Sequence, residues 1–316
     1  MRRIVHGATT TKSRQDREDS RAMQRTLHPL EGIVAVCALF FVLALSIGFA
    51  QAAGDGAHIQ KVKMVQLRSA SALVQDADTG EIVFTKNSEA VVPIASITKL
   101  MTAMVTIDRG LDLEDRIVLS REDVDLKKGS RSRLKPGGVL TRRELMLLAL
   151  MASENRAAAA LGRTYPGGIE PFVAAMNAKA ASLDMKDSRF VDSSGLSPHN
   201  VSSARDLVKL VRAAHEYALI REFSTTDRAT VRVSERGRPL AFHNTNGLIR
   251  AHRWDVELSK TGYISEAGRC LVMRVKLASK DLIVVLLDSW GRQSRLGDAN
   301  RIKKWVETNA TAGRAS

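Results

Sequence analysis

Ser96 and Lys99 are the residues whose types and spacing first suggest chemistry in this sequence. They lie in the stretch PIASITKLMTAMV (93–105), where apolar residues recur around much of a helix. Residues three apart share one helix face, and burying an ammonium beside a hydroxyl is costly unless the pair is used. A lysine kept neutral by burial and by nearby positive charge could take the serine proton. The pair therefore predicts a serine nucleophile with a lysine base.

The predicted start of this helix adds a second function for Ser96. Pro93 favours an extended entry, so we expect the helix to begin near Ala95 or Ser96. Amides in the first turn of a helix lack an intrahelical partner. The N–H of Ser96 could then stabilise the oxyanion that forms when its own hydroxyl attacks a carbonyl.

Two more polar motifs follow in order along the chain. Ser153-Glu154-Asn155 comes after the apolar segment 145–151, and Lys260-Thr261-Gly262 precedes two strand-like runs. A K-T-G triplet occurs by chance in only about one in twenty chains of this size, whereas roughly one S-x-x-K is expected in each. A second S-x-x-K, Ser132 to Lys135, lies in the charged stretch KKGSRSRLK (127–135), and we interpret it as a chance match.

Other kinds of site lack support in the sequence. It contains neither H-E-x-x-H nor G-x-x-x-x-G-K-[ST], which are motifs of zinc and nucleotide sites. The basic stretch 127–135 has no aromatic residue on which a base could stack, so nucleic acid is not an expected partner. Cys270 is the one cysteine outside the N-terminal region, and we expect a small core residue there.

The N-terminal region has the composition of an export signal. A basic start is followed by the 17-residue run IVAVCALFFVLALSIGF (33–49) and by Ala50-Gln51-Ala52, the small-x-small pattern of a cleavage site. We predict a signal peptide at 1–52, cleaved after Ala52, and a periplasmic protein. The alternative is an uncleaved anchor in the inner membrane, because 17 residues approach the length of a membrane span.

The remaining chain, residues 53–316, is basic. The whole sequence has 316 residues and a net charge of +14, of which residues 1–52 carry +3, so the mature chain carries +11. Such a charge favours loose association with an anionic wall or membrane surface.

Strand-like segments at both ends of the mature chain enclose a helical middle. SALVQDA and EIVFT predict a hairpin around Asp78-Thr79-Gly80, and CLVMRVKL and LIVVLLDSW read as central strands before a final helix. Capping patterns such as Thr141 with Glu144 predict helices between them. We therefore predict an α/β (α+β) domain: an antiparallel sheet from both chain ends, flanked by helices, with an inserted helical lobe at about 110–225.

The ordered motifs S-x-x-K, S-x-N and K-T-G are those of serine penicillin-binding proteins and their β-lactamase relatives. The mature chain resembles the low-molecular-mass penicillin-binding proteins of the D-alanyl-D-alanine endopeptidase/carboxypeptidase family over about residues 65–308. Five stretches look closest to the endopeptidase branch: IASITKLMTAMV, LLALMASENRAAAALG, FVDSSGLSP, NTNGL and LSKTGY.

The resemblance implies a role for each matching catalytic position. Ser96 would be the acylated nucleophile, Lys99 its base, and Ser153 the relay that brings a proton to the leaving amine. The backbone amides of Ser96 and Tyr263 would form the oxyanion hole.

Four further positions would bind substrate. Asn155 would hold the substrate amide and Lys99, and Lys260 would supply positive charge with Thr261 beside it. Gly262 would let its strand approach the substrate backbone. The implied substrate is the stem peptide of peptidoglycan, with β-lactams as covalent inhibitors and with no metal or organic cofactor.

Several alternatives to an endopeptidase remain at this point. They are a carboxypeptidase that trims stem pentapeptides, a β-lactamase, and a non-catalytic β-lactam or peptidoglycan-binding module. The class A β-lactamase reading is disfavoured because no glutamate is followed by asparagine four residues later.

Ile264 bears on the first alternative. In the wider family the second residue after K-T-G is often a hydroxyl residue that helps to bind a terminal carboxylate, and this chain has an aliphatic side chain there. That favours cross-links over free ends, unless Ile264 faces the core and Thr261 alone holds the carboxylate.

Overall fold

The computed structural model describes residues 65–126, 128–234, 237–291 and 293–312. The chain divides into two units, Met1–Lys63 and Met64–Ser316, and all described residues belong to the second. The predicted signal peptide, 1–52, and its cleavage site lie outside the described residues. In the ranges that are described, no helix is long and apolar enough to cross a membrane.

In the described part of the chain, helices are interspersed with short strands, and three long strands and a final helix follow at the C-terminal end. In chain order they are β1 (Ser69–Asp76), β2 (Ile82–Lys86), β3 (Val92–Pro93), α1 (Thr98–Asp108), β4 (Arg116–Val118), β5 (Val139–Thr141), α2 (Arg142–Met151), α3 (Asn155–Arg163), α4 (Ile169–Ser182), β6 (Val201–Ser202), α5 (Ala204–His215), α6 (Ala218–Thr225), β7 (Arg228–Val231), β8 (Leu240–His243), α7 (Gly247–Arg250), β9 (Asp255–Ile264), β10 (Gly268–Leu277), β11 (Lys280–Ser289) and α8 (Ser294–Ala312).

A five-stranded antiparallel sheet is built from both ends of this series. Its strand order is β2-β1-β11-β10-β9, so β9 forms one edge. The predicted α/β class, with an antiparallel sheet from both chain ends and flanking helices, is confirmed. The boundary of a separate helical lobe at about 110–225 stays a prediction.

The apolar runs of the central strands are continuous because both faces of the sheet are covered. Along β11, Ile283, Val285 and Leu287 pack into a core shared with helices α1–α6. The alternate residues, which are Leu282, Val284 and Leu286, pack on the opposite face with α8. Successive strand side chains point to opposite faces, so a strand buried on both sides needs apolar residues throughout.

Side-chain capping fixes where two of the helices begin. Thr141 and Glu144 form the predicted reciprocal capping box at the start of α2. At α5 only half of such a box is present: Ser203 Oγ accepts from the Asp206 amide. The Asp206 carboxylate instead accepts from the amide of Asp187, since it lies against that loop.

Candidate active site

Ser96 lies in a tight turn between β3 and α1. Residues Ala95–Ile97 form one 3-10 turn that continues into α1 at Thr98, as the sequence predicted for the helix start. Ala95 has a φ of 49°, a left-handed conformation that costs about 1–3 kcal/mol for a residue other than glycine. The residue before Ser96 is therefore held in strain by the packing around it.

Lys99 is fully buried and its amine touches three acceptors. Lys99 Nζ lies 2.7 Å from Ser96 Oγ, 2.8 Å from Asn155 Oδ1 and 2.5 Å from the Ser194 carbonyl oxygen. A neutral lysine amine has two N–H bonds and one lone pair. When the amide and carbonyl oxygens accept its two N–H bonds, the lone pair is left facing the Ser96 hydroxyl.

Burial is the main influence on the charge of Lys99. It lowers the lysine pKa from 10.5 to about 7, while the negative charges of Asp192 and Glu154 act in the opposite direction. The sequence also predicted a contribution from nearby positive charge; at Lys99 the structure shows desolvation as the lowering cause instead. The neutral amine is thus well populated near neutral pH.

Ser153 and Lys260 form a second hydroxyl–amine pair. Lys260 Nζ donates to Ser153 Oγ at 2.8 Å and to the Thr261 carbonyl at 2.9 Å, and Lys260 is 1% exposed. Burial lowers the Lys260 pKa well below its usual value, and the charges of Lys99 and Arg295 lower it further. A charge on Lys99 therefore disfavours protonation of Lys260.

Asn155 connects the two pairs, because it begins α3 directly after the turn that carries Ser153. Ser153 itself has a φ of 58°, so this turn is a second strained position at the site. Glu154, between them, accepts a 2.8 Å hydrogen bond from Ser132 Oγ, and burial raises its pKa. Ser132 thus has a partner other than Lys135, which is exposed, in line with a chance S-x-x-K match.

Gly262 allows β9 to lie directly against the Ser96 segment. A Cβ at this position would sit 2.9 Å from the Ile94 carbonyl oxygen, 3.1 Å from Ala95 Cβ and 3.2 Å from the Ser96 amide nitrogen. The glycine was predicted to permit approach to substrate; the structure gives it an additional reason, which is contact between the edge strand and the turn that bears Ser96.

The remaining K-T-G positions line the same strand. Thr261 Oγ1 lies 2.6 Å from Thr245 Oγ1, and the Tyr263 side chain is 56% exposed with the Arg269 guanidinium 4.5 Å from its ring centre. Ile264 is 6% exposed and packs in the core with α1–α6. Of the two interpretations of Ile264, the one in which it faces the core is therefore confirmed. Its aliphatic side chain then says nothing about whether the site binds a terminal carboxylate.

Sequence reasoning missed several residues that contact the site. The Ser194 carbonyl holds Lys99, Thr245 contacts Thr261, and Arg295 donates to the Gly262 carbonyl at 3.1 Å. FVDSSGLSP and NTNGL contain the first two, but neither stretch carries a recognisable catalytic pattern. Within the described ranges no group of three histidine, cysteine, aspartate or glutamate residues is arranged to hold a metal ion.

Comparison with known proteins identifies the family of the chain. The profile of the D-alanyl-D-alanine carboxypeptidase family matches residues 58–291. A D-alanyl-D-alanine endopeptidase of Pseudomonas aeruginosa is 45% identical over 266 residues, and one of Escherichia coli is 42% identical over 267; each alignment spans 84% of this chain and 86% of the relative.

The fold is also that of solved members. A DD-transpeptidase from Streptomyces superposes with a TM-score of 0.70 at 26% identity, covering 76% of this chain and 97% of that one. With three ordered motifs brought into contact on such a fold, the chain belongs to the D-alanyl-D-alanine carboxypeptidase family and is a serine hydrolase of the D-Ala-D-Ala endopeptidase/carboxypeptidase type.

Proposed function

We propose that the protein is a D-alanyl-D-alanine endopeptidase that hydrolyses peptide cross-links of peptidoglycan through an acyl-enzyme on Ser96. The observation that carries the serine mechanism is the position of Lys99 Nζ, 2.7 Å from Ser96 Oγ with its other two contacts on oxygen acceptors. The endopeptidase assignment is supported by the names of the 45% and 42% identical relatives.

In the acylation step Ser96 Oγ attacks the carbonyl carbon of the D-alanine whose peptide bond is to be cut. The serine proton passes to the neutral amine of Lys99, and the amides of Ser96 and Tyr263 stabilise the oxyanion. β9 is an edge strand, so an extended peptide has room to lie along it.

Collapse of the tetrahedral intermediate breaks the peptide C–N bond. Ser153, held by Lys260, delivers a proton to the leaving amine, and Asn155 keeps its place beside both the substrate amide and Lys99. The Lys99 ammonium returns the serine proton to Ser153, so that the lysine amine is neutral again. Water then attacks the carbonyl carbon of the Ser96 ester and gives a proton to the Lys99 amine. The ester C–O bond breaks as Lys99 passes that proton to Ser96 Oγ, and the carboxylic acid product leaves and ionises. Thr261 supplies a polar group and Lys260 a positive group that bind the substrate. β-Lactams acylate Ser96 in the same way as the peptide substrate.

We expect a cross-linked muropeptide dimer to be cut with a kcat/KM at least about tenfold above that for removal of the terminal residue from a pentapeptide monomer, a difference of about 1.4 kcal/mol in transition-state binding. The reason is that relatives 45% and 42% identical to this chain are named D-alanyl-D-alanine endopeptidases. The assay is mass analysis of products from both purified substrates.

A clear preference for the pentapeptide would instead assign the carboxypeptidase activity of other relatives, such as that of Bacillus subtilis at 31% identity. That outcome would change the bond that is cut and would leave Ser96 as nucleophile. Binding of either peptide without any cleavage would favour the non-catalytic module.

We also propose that the protein acts in the periplasm after removal of residues 1–52. The basic start, the apolar run and the small-residue exit support cleavage after Ala52, and the +11 charge of the mature chain supports loose association with the wall or membrane surface. N-terminal sequencing of the exported protein is expected to begin near Ala53. Protein that retains residues 1–30 would contradict cleavage and favour the anchored alternative.

A further inference from the structure

The turn 192–197 is organised by one carboxylate. Asp192 Oδ1 accepts from the Ser194 amide at 2.8 Å, the Gly195 amide at 2.6 Å and the Ser194 hydroxyl at 3.1 Å. Asp192 Oδ2 accepts from the Ser197 amide at 2.9 Å. No lysine, arginine or histidine of the described residues forms an ion pair with Asp192, so its charge is balanced by hydrogen bonds to this turn.

Two consecutive carbonyls of the same turn bind α1. The Ser194 carbonyl accepts from Lys99 Nζ at 2.5 Å, and the Ser193 carbonyl accepts from Thr102 Oγ1 at 2.6 Å. Thr102 lies three residues after Lys99 on α1, so both carbonyls face one side of that helix. The turn therefore fixes the lysine amine from a direction that α1 itself cannot supply.

Gly195 locks the turn against the strained residue before the nucleophile. It has a φ of 79°, and a Cβ there would lie 2.0 Å from the Ala95 carbonyl oxygen. The left-handed conformation and the close approach both require glycine. Because Asp192 binds the Gly195 amide, the carboxylate also fixes the distance between this turn and the Ser96 segment.

We propose that Asp192 is a positioning residue of the acylation reaction, which holds the Ser194 carbonyl on one N–H of Lys99 so that the lysine lone pair faces Ser96. The proposal rests on the proposed function. An asparagine at this position keeps one acceptor oxygen and turns an NH₂ donor towards backbone amides, so the four hydrogen bonds cannot all form. The Ser194 carbonyl can then turn away, and the Lys99 amine is no longer confined to one orientation.

The charge of Asp192 gives this role a signature in the pH profile. The charged groups that act on Lys99 are Asp192 and Glu154, which stabilise the ammonium. Nearby Lys260 faces the same site, and burial together with the charges of Lys99 and Arg295 lowers its pKa. Removing one of the two negative charges lowers the Lys99 pKa further below about 7. The acidic limb of the acylation rate must then move to lower pH, even as the maximal rate falls.

The test is the second-order rate constant for acylation by penicillin, measured from pH 5 to 9. We expect Asp192→Asn to lower the maximal rate about ten- to hundredfold, the scale for misplaced catalytic groups, and to shift the acidic limb downward. Asp192→Glu keeps the charge but misplaces it, so its acylation rate should fall while the acidic limb of its pH profile does not move to lower pH. Asp76→Asn is the matched control, since Asp76 accepts amide bonds at 3.0 and 2.9 Å in the remote β1–β2 turn.

NMR titration of Lys99 in the same variants gives a readout that does not depend on activity. A lower Lys99 pKa in Asp192→Asn than in wild type supports the proposal. An unchanged rate and an unchanged Lys99 pKa in a folded Asp192→Asn protein would overturn it, as would equal effects in Asp76→Asn. A wild-type protein that forms no penicillin adduct would instead overturn the proposed function, while the Lys99 titration would still decide the contact with Asp192.

Discussion

Ser96→Ala is expected to form no penicillin adduct and to lose peptide hydrolysis by about 10⁶-fold, the scale on which a serine peptidase loses activity without its nucleophile. The reason is that Ser96 Oγ lies 2.7 Å from Lys99 Nζ. Intact-mass measurement after incubation with penicillin gives the result directly, and kcat/KM on a cross-linked dimer gives the loss in hydrolysis.

The second S-x-x-K of the chain supplies a matched control. Ser132 hydrogen-bonds Glu154, and Lys135 is exposed, so Ser132→Ala should retain the adduct and most of the activity. An adduct that survives Ser96→Ala, or one that is lost in a folded Ser132→Ala protein, would contradict the assignment of the nucleophile.

Lys99→Ala is expected to slow acylation by about a hundredfold or more, which is the usual contribution of a positioned general base. The acylation rate of Lys99→Arg should fall as far, because arginine stays protonated and has no lone pair that could accept the serine proton. In the wild type the acylation rate should fall as the pH drops through about 7, since burial lowers the Lys99 pKa to that value and only the neutral amine accepts a proton.

Stopped-flow measurement of acylation across pH checks both expectations. The control is Lys135→Ala, which removes an exposed lysine at the same spacing from a serine. Unchanged acylation in Lys99→Ala would remove this lysine from the mechanism, and a wild-type profile with no acidic limb between pH 5 and 8 would contradict a neutral base.

The part of the site that side chains form could be predicted from patterns in the sequence. Ser96 and Lys99 stand out because polar residues interrupt an apolar helix, and the other two motifs follow in order along the chain. The Ser194 carbonyl could not be found this way, since every residue has a carbonyl and its direction depends on a turn 95 residues away from Lys99. Asp192 could not be found either, because its partners are backbone amides of that turn, which no side-chain pattern marks.

The fold was predictable where one physical rule dominates. The strands β10 and β11 are buried on both faces, and their nearly continuous apolar runs predict this burial. Ile264 was ambiguous because alternation along a strand gives two faces without saying which one meets the core; packing against α1–α6 decides that. The half-formed cap at Ser203 shows the limit of a local pattern, since a distant loop takes the second partner.

The most direct test of the Ser96 mechanism is rapid-quench mass spectrometry of the mature protein mixed with a cross-linked muropeptide dimer, followed by peptide mapping. We predict two monomers as products and a transient donor-peptide ester on the fragment that contains Ser96. Cleavage of the dimer with the ester on another residue, or an intact dimer under conditions where penicillin still acylates Ser96, would contradict a Ser96 endopeptidase.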